Sequence, residues 1–245
     1  MAAGESATNL NDQHRRLLEQ YTEIASLVGS LAHEIRNPLS TVNLNLQLLA
    51  EDFSEPQNQN ERRALHKIEI LQKECHRLEE ILNEFLRFVR ISDLELEAED
   101  LNEIVAEMID FHGPQAQVAG IVIRDNLPDS LPKVMLDRDM FKQALLNLIL
   151  NAQQAMPRGG ELILQTHAEG KYVHLDVIDT GVGMTSETLQ KVFKPFYSTR
   201  PGGSGLGLPT AKRIIDAHHG KLTVESAPGK GTKFTIRLPI APDSR

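Results

Sequence analysis

The chain predicts an α+β protein, an N-terminal helical hairpin that dimerises into a four-helix bundle followed by a two-layer α/β sandwich. Three observations predict it. Apolar residues recur at spacings of three and four through two long segments before residue 90. From about residue 101 the pattern turns mixed, with strand-like alternation between helical stretches. Between them lies an acidic run, Asp93, Glu95, Glu97, Glu99 and Asp100, which reads as a joint, though a solvated surface would look the same.

Composition narrows the function classes. A length of 245 residues suits two modest domains, and 40% hydrophobic content suffices for real cores. A net charge of -8 offers no basic field to nucleic acid or anionic membrane. No apolar run approaches the roughly 20 residues of a membrane span. The start, Met1 to Asn11, is small and polar, without the apolar core of a secretory signal, and residues 1–12 are expected to be disordered. A single cysteine, Cys75, excludes an intramolecular disulfide and fits a reducing cytoplasm. Its place in an apolar row predicts a buried thiol. The expectation is a soluble cytoplasmic protein.

The hairpin is assigned to residues 13–92. Leu17, Tyr21, Ile24, Val28, Leu31, Ile35, Leu39, Val42, Leu46 and Leu49 form one helical stripe. Pro38 removes a donor to the Glu34 carbonyl and predicts a bend just after His33. Ser54 to Asn60 breaks the pattern. A second stripe follows through Leu65, Ile68, Leu71, Cys75, Leu78, Ile81 or Leu82, Phe85 and Val89. Two helices bury little alone, so pairing with a second copy is the economical solution. Packing of the stripe on the chain's own second domain is the alternative.

Residues 93–100 are assigned as linker, 101–240 as the second domain and 241–245 as a tail. Leu101 to Phe111 predicts a helix and Gly120 to Leu127 a strand. Asp137 can cap a helix running to Met156, with Asp139 in its first turn. Glu161 to Ala168 and Lys171 to Ile178 read as antiparallel neighbours around Glu169-Gly170. A helix over Leu206 to His218 ends at Gly220, a predicted left-handed cap. Leu222 to Glu225 and Lys233 to Leu238 make a last hairpin. That order puts helices on one face of a mixed sheet.

Chemistry concentrates in two places. The first is His33-Glu34-Ile35-Arg36-Asn37-Pro38, where His33 and Asn37 share a helix face with Glu34 beside them. A His at 37 would have given the two-histidine zinc motif; with Asn, a phosphate-accepting histidine is the sharper idea. It needs a phosphate donor.

The second place can supply one. Gln143, Asn147 and Asn151 form a polar row on an otherwise apolar helix. Buried amides need partners, and neighbouring backbone or a hydrated magnesium ion with nucleotide phosphates would both serve. Asp179 continues the core face of Val173-Leu175-Val177, where the exocyclic amino group of adenine is a suitable donor to it. Gly181 and Gly183 follow; read alone, this stretch is only a turn signal. Gly203, Gly205 and Gly207 lead into a helix whose amides and dipole favour phosphate, without the Walker or dinucleotide pattern. Phe193 and Phe196, with Pro195 between, fit a hinged lid anchored by its rings, or an ordinary loop with two buried rings. Arg200 at its tip could neutralise a terminal phosphate. His218 and His219 serve the helix end instead of chemistry.

These residues together resemble the bacterial two-component sensor histidine kinases, from about residue 22 to 239. His33 to Pro38 resembles the phosphorylation box, Asn147 to Ala152 the magnesium-binding asparagine box and Asp179 to Met184 the first glycine box. Phe193 to Phe196 resembles the aromatic box and Gly203 to Leu208 the second glycine box. The resemblance implies a dimeric phosphotransfer hairpin and an ATP-binding domain of the gyrase type. It implies His33 as nucleophile, Asn151 as magnesium ligand and Asp179 as adenine reader, with ATP and Mg2+ as cofactors. Many members carry a basic residue after the second asparagine, where this chain has Gln153-Gln154. That feature, with Ser198-Thr199-Arg200, looks like the nitrogen-regulatory branch, and there Arg200 takes over the phosphate contact.

The expected reaction is attack of His33 on the terminal phosphate of ATP, with Glu34 on the other ring nitrogen. The phosphate then passes to an aspartate of a response-regulator receiver domain, and Asn37 permits a reverse, phosphatase activity. A conformational ATPase would leave His33 and Glu34 idle, and a scaffold would leave the glycine boxes idle. Too few residues precede the first matched helix for a sensor domain, so the input is expected from that helix, a partner or a part outside this chain. Transfer within one subunit or between two depends on the hairpin's handedness, which sequence does not reveal.

Overall fold

A computed structural model describes residues 34–89, 91, 94–200 and 202–242. The chain divides into two compact units between residues 90 and 91. His33, residues 13–33 of the expected first helix and the start (1–12) expected to be disordered lie outside the described residues.

In the first unit, residues 34–52 are helical (α1) without a break at Pro38, and α2 spans Gln59–Val89. The turn between them is held by local polar bonds. Asn58 Oδ1 accepts the Glu61 N–H at 3.0 Å, and Glu61 reaches back to the Gln57 N–H at 2.6 Å. This reciprocal arrangement satisfies donors that a helix start leaves unpaired. Leu46, Ile68 and Cys75 form the buried seam, with Ala50 and Phe53 against it. Arg36 donates to Asn83 across the hairpin at 2.9 Å. The Cys75 thiol is free and buried, as expected.

The second unit is an α+β two-layer sandwich. Its strands are β1 (Glu97–Glu99), β2 (Ile121–Asn126), β3 (Val134–Leu136), β4 (Gly160–Glu169), β5 (Tyr172–Asp179), β6 (Lys221–Ser226) and β7 (Thr232–Pro239). The helices are α3 (Leu101–Val118), α4 (Arg138–Ala155), α5 (Ser186–Lys191) and α6 (Gly207–Ala217). Five strands run in the order β2-β4-β5-β7-β6, parallel only between β2 and β4. Every second residue of β4, β5 and β7 faces the helices, so Leu162, Leu164, Leu175, Val177, Phe234 and Ile236 meet Phe141, Leu145, Leu148 and Ile149 in one core. Asp179 does continue that face, as the alternation predicts.

Three local expectations change. The acidic stretch carries structure of its own, because β1 pairs with β3 and Asp100 caps α3 by accepting the Asn102 N–H. Helix α3 runs on to Val118, past Gly113 and Pro114. Pro114 removes one intrahelical bond, but the buried stripe of Leu101, Ile104, Val105, Met108, His112 and Ala116 continues beyond it, and packing outweighs the lost donor. At the end of α6 the left-handed residue is His219, with φ 57°, and not Gly220. A Cβ on Gly220 would lie 2.8 Å from the Arg237 carbonyl, so that glycine answers close packing and not a dihedral.

Candidate functional site

Helix α4 is the scaffold of the site. Asp137 starts it, its side chain accepting the Met140 N–H at 3.0 Å. The Asp137 N–H in turn donates to His218 Nε2 at 3.0 Å, and His218 Nδ1 donates to the Ile214 carbonyl at 2.8 Å. Buried His218 thereby joins the end of α6 to the start of α4, a structural use that matches the sequence reading. Phe141, Leu145, Leu148 and Ile149 bury one side of α4, while Gln143, Asn147 and Asn151 line the half-buried other side.

Asp179 ends β5 with only 2% of its surface exposed. It accepts the Gly181 N–H at 2.8 Å. Burial pushes its carboxyl above the usual aspartate range, against the opposing pull of the Gly181 and Thr232 donors and of Arg200. Gly181 and Gly183 are wedged between the end of α4 and the β6–β7 turn. The Val182 N–H donates to the Ala155 carbonyl at 3.1 Å, and Gly229 donates to the Val182 carbonyl at 2.8 Å. A Cβ on Gly183, at φ 67°, would stand 2.0 Å from the Ala227 carbonyl oxygen.

The segment after α5 folds back over α4. Arg200 Nη2 donates to the Asn151 carbonyl at 3.2 Å and to its Oδ1 at 3.4 Å, while Nη1 bonds Gln154 Oε1. Burial holds the Arg200 guanidinium below its ordinary range, and Asp179 opposes that shift. Phe193 packs edge-to-face on Phe234, with centroids 6.5 Å apart, and anchors the segment as expected. Phe196 departs from the expectation, since it is 62% exposed. Its left-handed backbone (φ 63°) lets its N–H reach the Gly205 carbonyl at 3.0 Å, and that close crossing turns the ring outward. Gly203 is exposed, Leu208 packs against the core, and Gly207 opens α6 beside the Asn147 side chain. The N-cap residue of α6, Leu206, makes no side-chain cap bond.

The structure therefore brings Gly181, Arg200 and Gly207 against the second half of α4 beside Asn147 and Asn151, with Asp179 bonded to Gly181, while Gly183 sits against the β6–β7 turn and Gly205 against Phe196 and Tyr197. Glu34 and Asn37 are exposed on α1, in the other unit. Sequence reasoning missed Thr232 and Thr180. Thr232 pairs with Asp179 in register and bonds it, and Thr180 Oγ1 accepts the Glu161 N–H at 2.9 Å. Their signal was cross-strand register, which needs the sheet order.

A helical hairpin followed by a two-layer sandwich with a buried carboxylate, an asparagine-lined helix and glycine turns is the class that fold and site define. Residues 23–94 match the His Kinase A (phospho-acceptor) domain, and residues 136–242 match the family described as histidine kinase-, DNA gyrase B-, and HSP90-like ATPase. Sensor histidine kinase ZraS of Klebsiella oxytoca is 35% identical over 223 residues, 91% of this chain and 47% of that protein. Sporulation kinase C of Bacillus subtilis is 31% identical over 243 residues, 99% of this chain and 55% of that protein. Among solved structures, full-length ShkA in complex with AMPPNP gives a TM-score of 0.70 at 26% identity, covering 90% of this chain and 47% of that one. Histidine kinase ThkA in complex with the response regulator protein TrrA gives 0.65 at 27% identity, covering 90% and 63%. The chain belongs to the two-component sensor histidine kinases. It spans about half the length of the curated relatives it matches. Among the described residues no helix is long and apolar enough to cross a membrane.

Proposed function

We propose that this chain is an ATP-dependent protein-histidine kinase that phosphorylates itself on His33 and passes the phosphate to an aspartate of a response-regulator receiver domain. One observation carries the reading. A nearly inaccessible carboxylate, Asp179, lies against Gly181 and Gly231 and feels the charge of Arg200, which itself bonds Asn151, in a chain whose phospho-acceptor match includes His33.

Asp179 accepts the exocyclic amino group of adenine, a donor that repays its burial. The glycine backbone and the first turn of α6 offer N–H groups to phosphate. The Asn151 carboxamide oxygen suits an ion that keeps part of its water and takes phosphate oxygens, so Asn151, with Asn147 beside it, would hold magnesium. Magnesium supplies screening of the phosphate charge when bound. Arg200 moves from Asn151 toward the terminal phosphate and offsets charge there. One nitrogen of His33 attacks the terminal phosphorus; the new N–P bond forms as the P–O bond to ADP breaks, and ADP leaves with the electron pair. Glu34 accepts the proton from the other ring nitrogen. Asn37, exposed on α1, can orient water for the reverse hydrolysis of the receiver's phosphate.

The first unit acts as a homodimer. Val42, Leu49, Leu71 and Leu78 stay 44–52% exposed within one chain, although they lie on the apolar stripes. The receiver partner is supported by the ThkA–TrrA complex among the similar structures. The hairpin of residues 13–92 and the catalytic domain of 101–240 remain the working divisions, and the site of action is the cytoplasm.

The test is incubation with magnesium and ATP labelled on its terminal phosphate, beside a His33→Gln variant. Acid-labile label on the wild type alone is expected; an unlabelled wild type that still binds ATP sinks the proposal.

A further inference from the structure

The β4–β5 hairpin carries a cluster that nucleotide chemistry does not use. His167 on β4 and His174 on β5 are direct cross-strand partners. Their rings stack with centroids 4.7 Å apart and planes 15° apart. Glu169, on the same face of β4, places Oε2 3.9 Å from His174 Nε2. One donor atom from each of the three lies within 4.8 Å of the other two. Val173, Leu175, Val177 and Asp179 face the helices, so His174 and its partners face the other way. About 17 Å of strand separates His174 from Asp179.

We propose that His167, Glu169 and His174 bind a late first-row divalent transition metal, zinc being the simplest, with one coordination position open to solvent. Two imidazole nitrogens and one carboxylate oxygen are a donor set that zinc takes in sites with three protein ligands. Imidazole suits zinc, copper and nickel, whereas magnesium prefers oxygen alone. The site is thus chemically distinct from the one at Asn151. Tetrahedral ligands stand about 3.3 Å apart, so no donor pair must close by more than roughly 1.5 Å, and the Glu169–His174 pair, at 3.9 Å, by less. His167 and Glu169 are exposed and can make that adjustment by rotation, while half-buried His174 stays as the fixed ligand.

Neighbouring charges oppose each other. Arg237 lies in register beside His174 and discourages a cation, but its guanidinium is drawn over the Tyr172 ring, 4.3 Å from the centroid. Asp176, two residues along the same face, acts in the opposite sense. A bound ion would clamp β4 to β5 beside their turn.

Cobalt(II) is the probe, because tetrahedral coordination gives visible absorption that octahedral coordination largely lacks. The full chain is stripped of metal and titrated with Co2+, then with Zn2+ in competition and with excess Mg2+. One equivalent of tetrahedral Co2+ is expected, displaced by Zn2+ and indifferent to Mg2+. The signal should vanish in the His167→Gln/His174→Gln double variant and weaken at least tenfold in Glu169→Gln, with nucleotide affinity unchanged in both. Glu169→Gln keeps the test readable if the double variant folds poorly, since its side chain is exposed. An absent signal in the wild type, or one that survives these substitutions, overturns the proposal.

Discussion

Arg200 donates to both oxygens of Asn151, to the backbone carbonyl at 3.2 Å and to Oδ1 at 3.4 Å. The guanidinium therefore ties the segment ahead of the second glycine cluster to α4, on the carboxamide proposed to hold magnesium.

This tie makes Arg200→Ala informative. The charged bonds are partly exposed, so their loss should cost only about 1 kcal/mol of stability. Amide exchange across residues 197–205 should rise and the KM for ATP increase about tenfold, the loss of one charge-assisted contact. Unchanged exchange would show that the segment is held by Phe193 and the glycine turns alone.

Asp179 gives a pH signature. Burial raises its folded-state pKa above the unfolded value, so the native state binds the proton more tightly. The stability it contributes is full below the unfolded pKa of about 3.9 and is lost as pH rises through the raised folded value. Asp179→Asn cannot lose it. The variant should gain stability relative to wild type as pH rises above about 4, measured by denaturant unfolding without nucleotide. It should also bind ATP more weakly. A stability difference independent of pH contradicts the shift.

Two glycines with left-handed backbones separate dihedral strain from crowding. Gly170, at φ 60°, has nothing within 4 Å of an added Cβ, whereas Gly183 has the Ala227 carbonyl at 2.0 Å. Gly170→Ala should cost about 1 kcal/mol and Gly183→Ala at least twice that, by chemical denaturation. Equal costs would mean that the β6–β7 turn yields freely.

Leu78, 51% exposed on α2, tests the dimer. Leu78→Glu should leave helicity intact and shift light-scattering mass toward the monomer. A dimer that persists would place the interface elsewhere.

Much of this architecture was readable because it depends on local chemistry. Asp137 reads as a cap, and its carboxylate does accept the Met140 N–H. The alternation through Val173, Leu175 and Val177 does carry Asp179 onto the core face. What sequence missed depends on partners distant in the chain. The helix expected over Leu101 to Phe111 runs on to Val118 because buried Ala116 continues its apolar stripe past Pro114. Gly220 looks like a left-handed cap until the Arg237 carbonyl is placed against it. Thr232 carries no local signal, and only the pairing of β5 with β7 brings it to Asp179. Strands β1 and β3, of three residues each, are too short for alternation to show.

The central claim is that His33 itself receives the phosphate. Peptide mapping by mass spectrometry at neutral pH, after brief exposure to magnesium and ATP, tests it most directly. The account predicts one acid-labile phosphoryl group on His33, absent from a folded, dimeric Asn151→Ala variant. Phosphate on any other residue, or its persistence on His33 in Asn151→Ala, would contradict it.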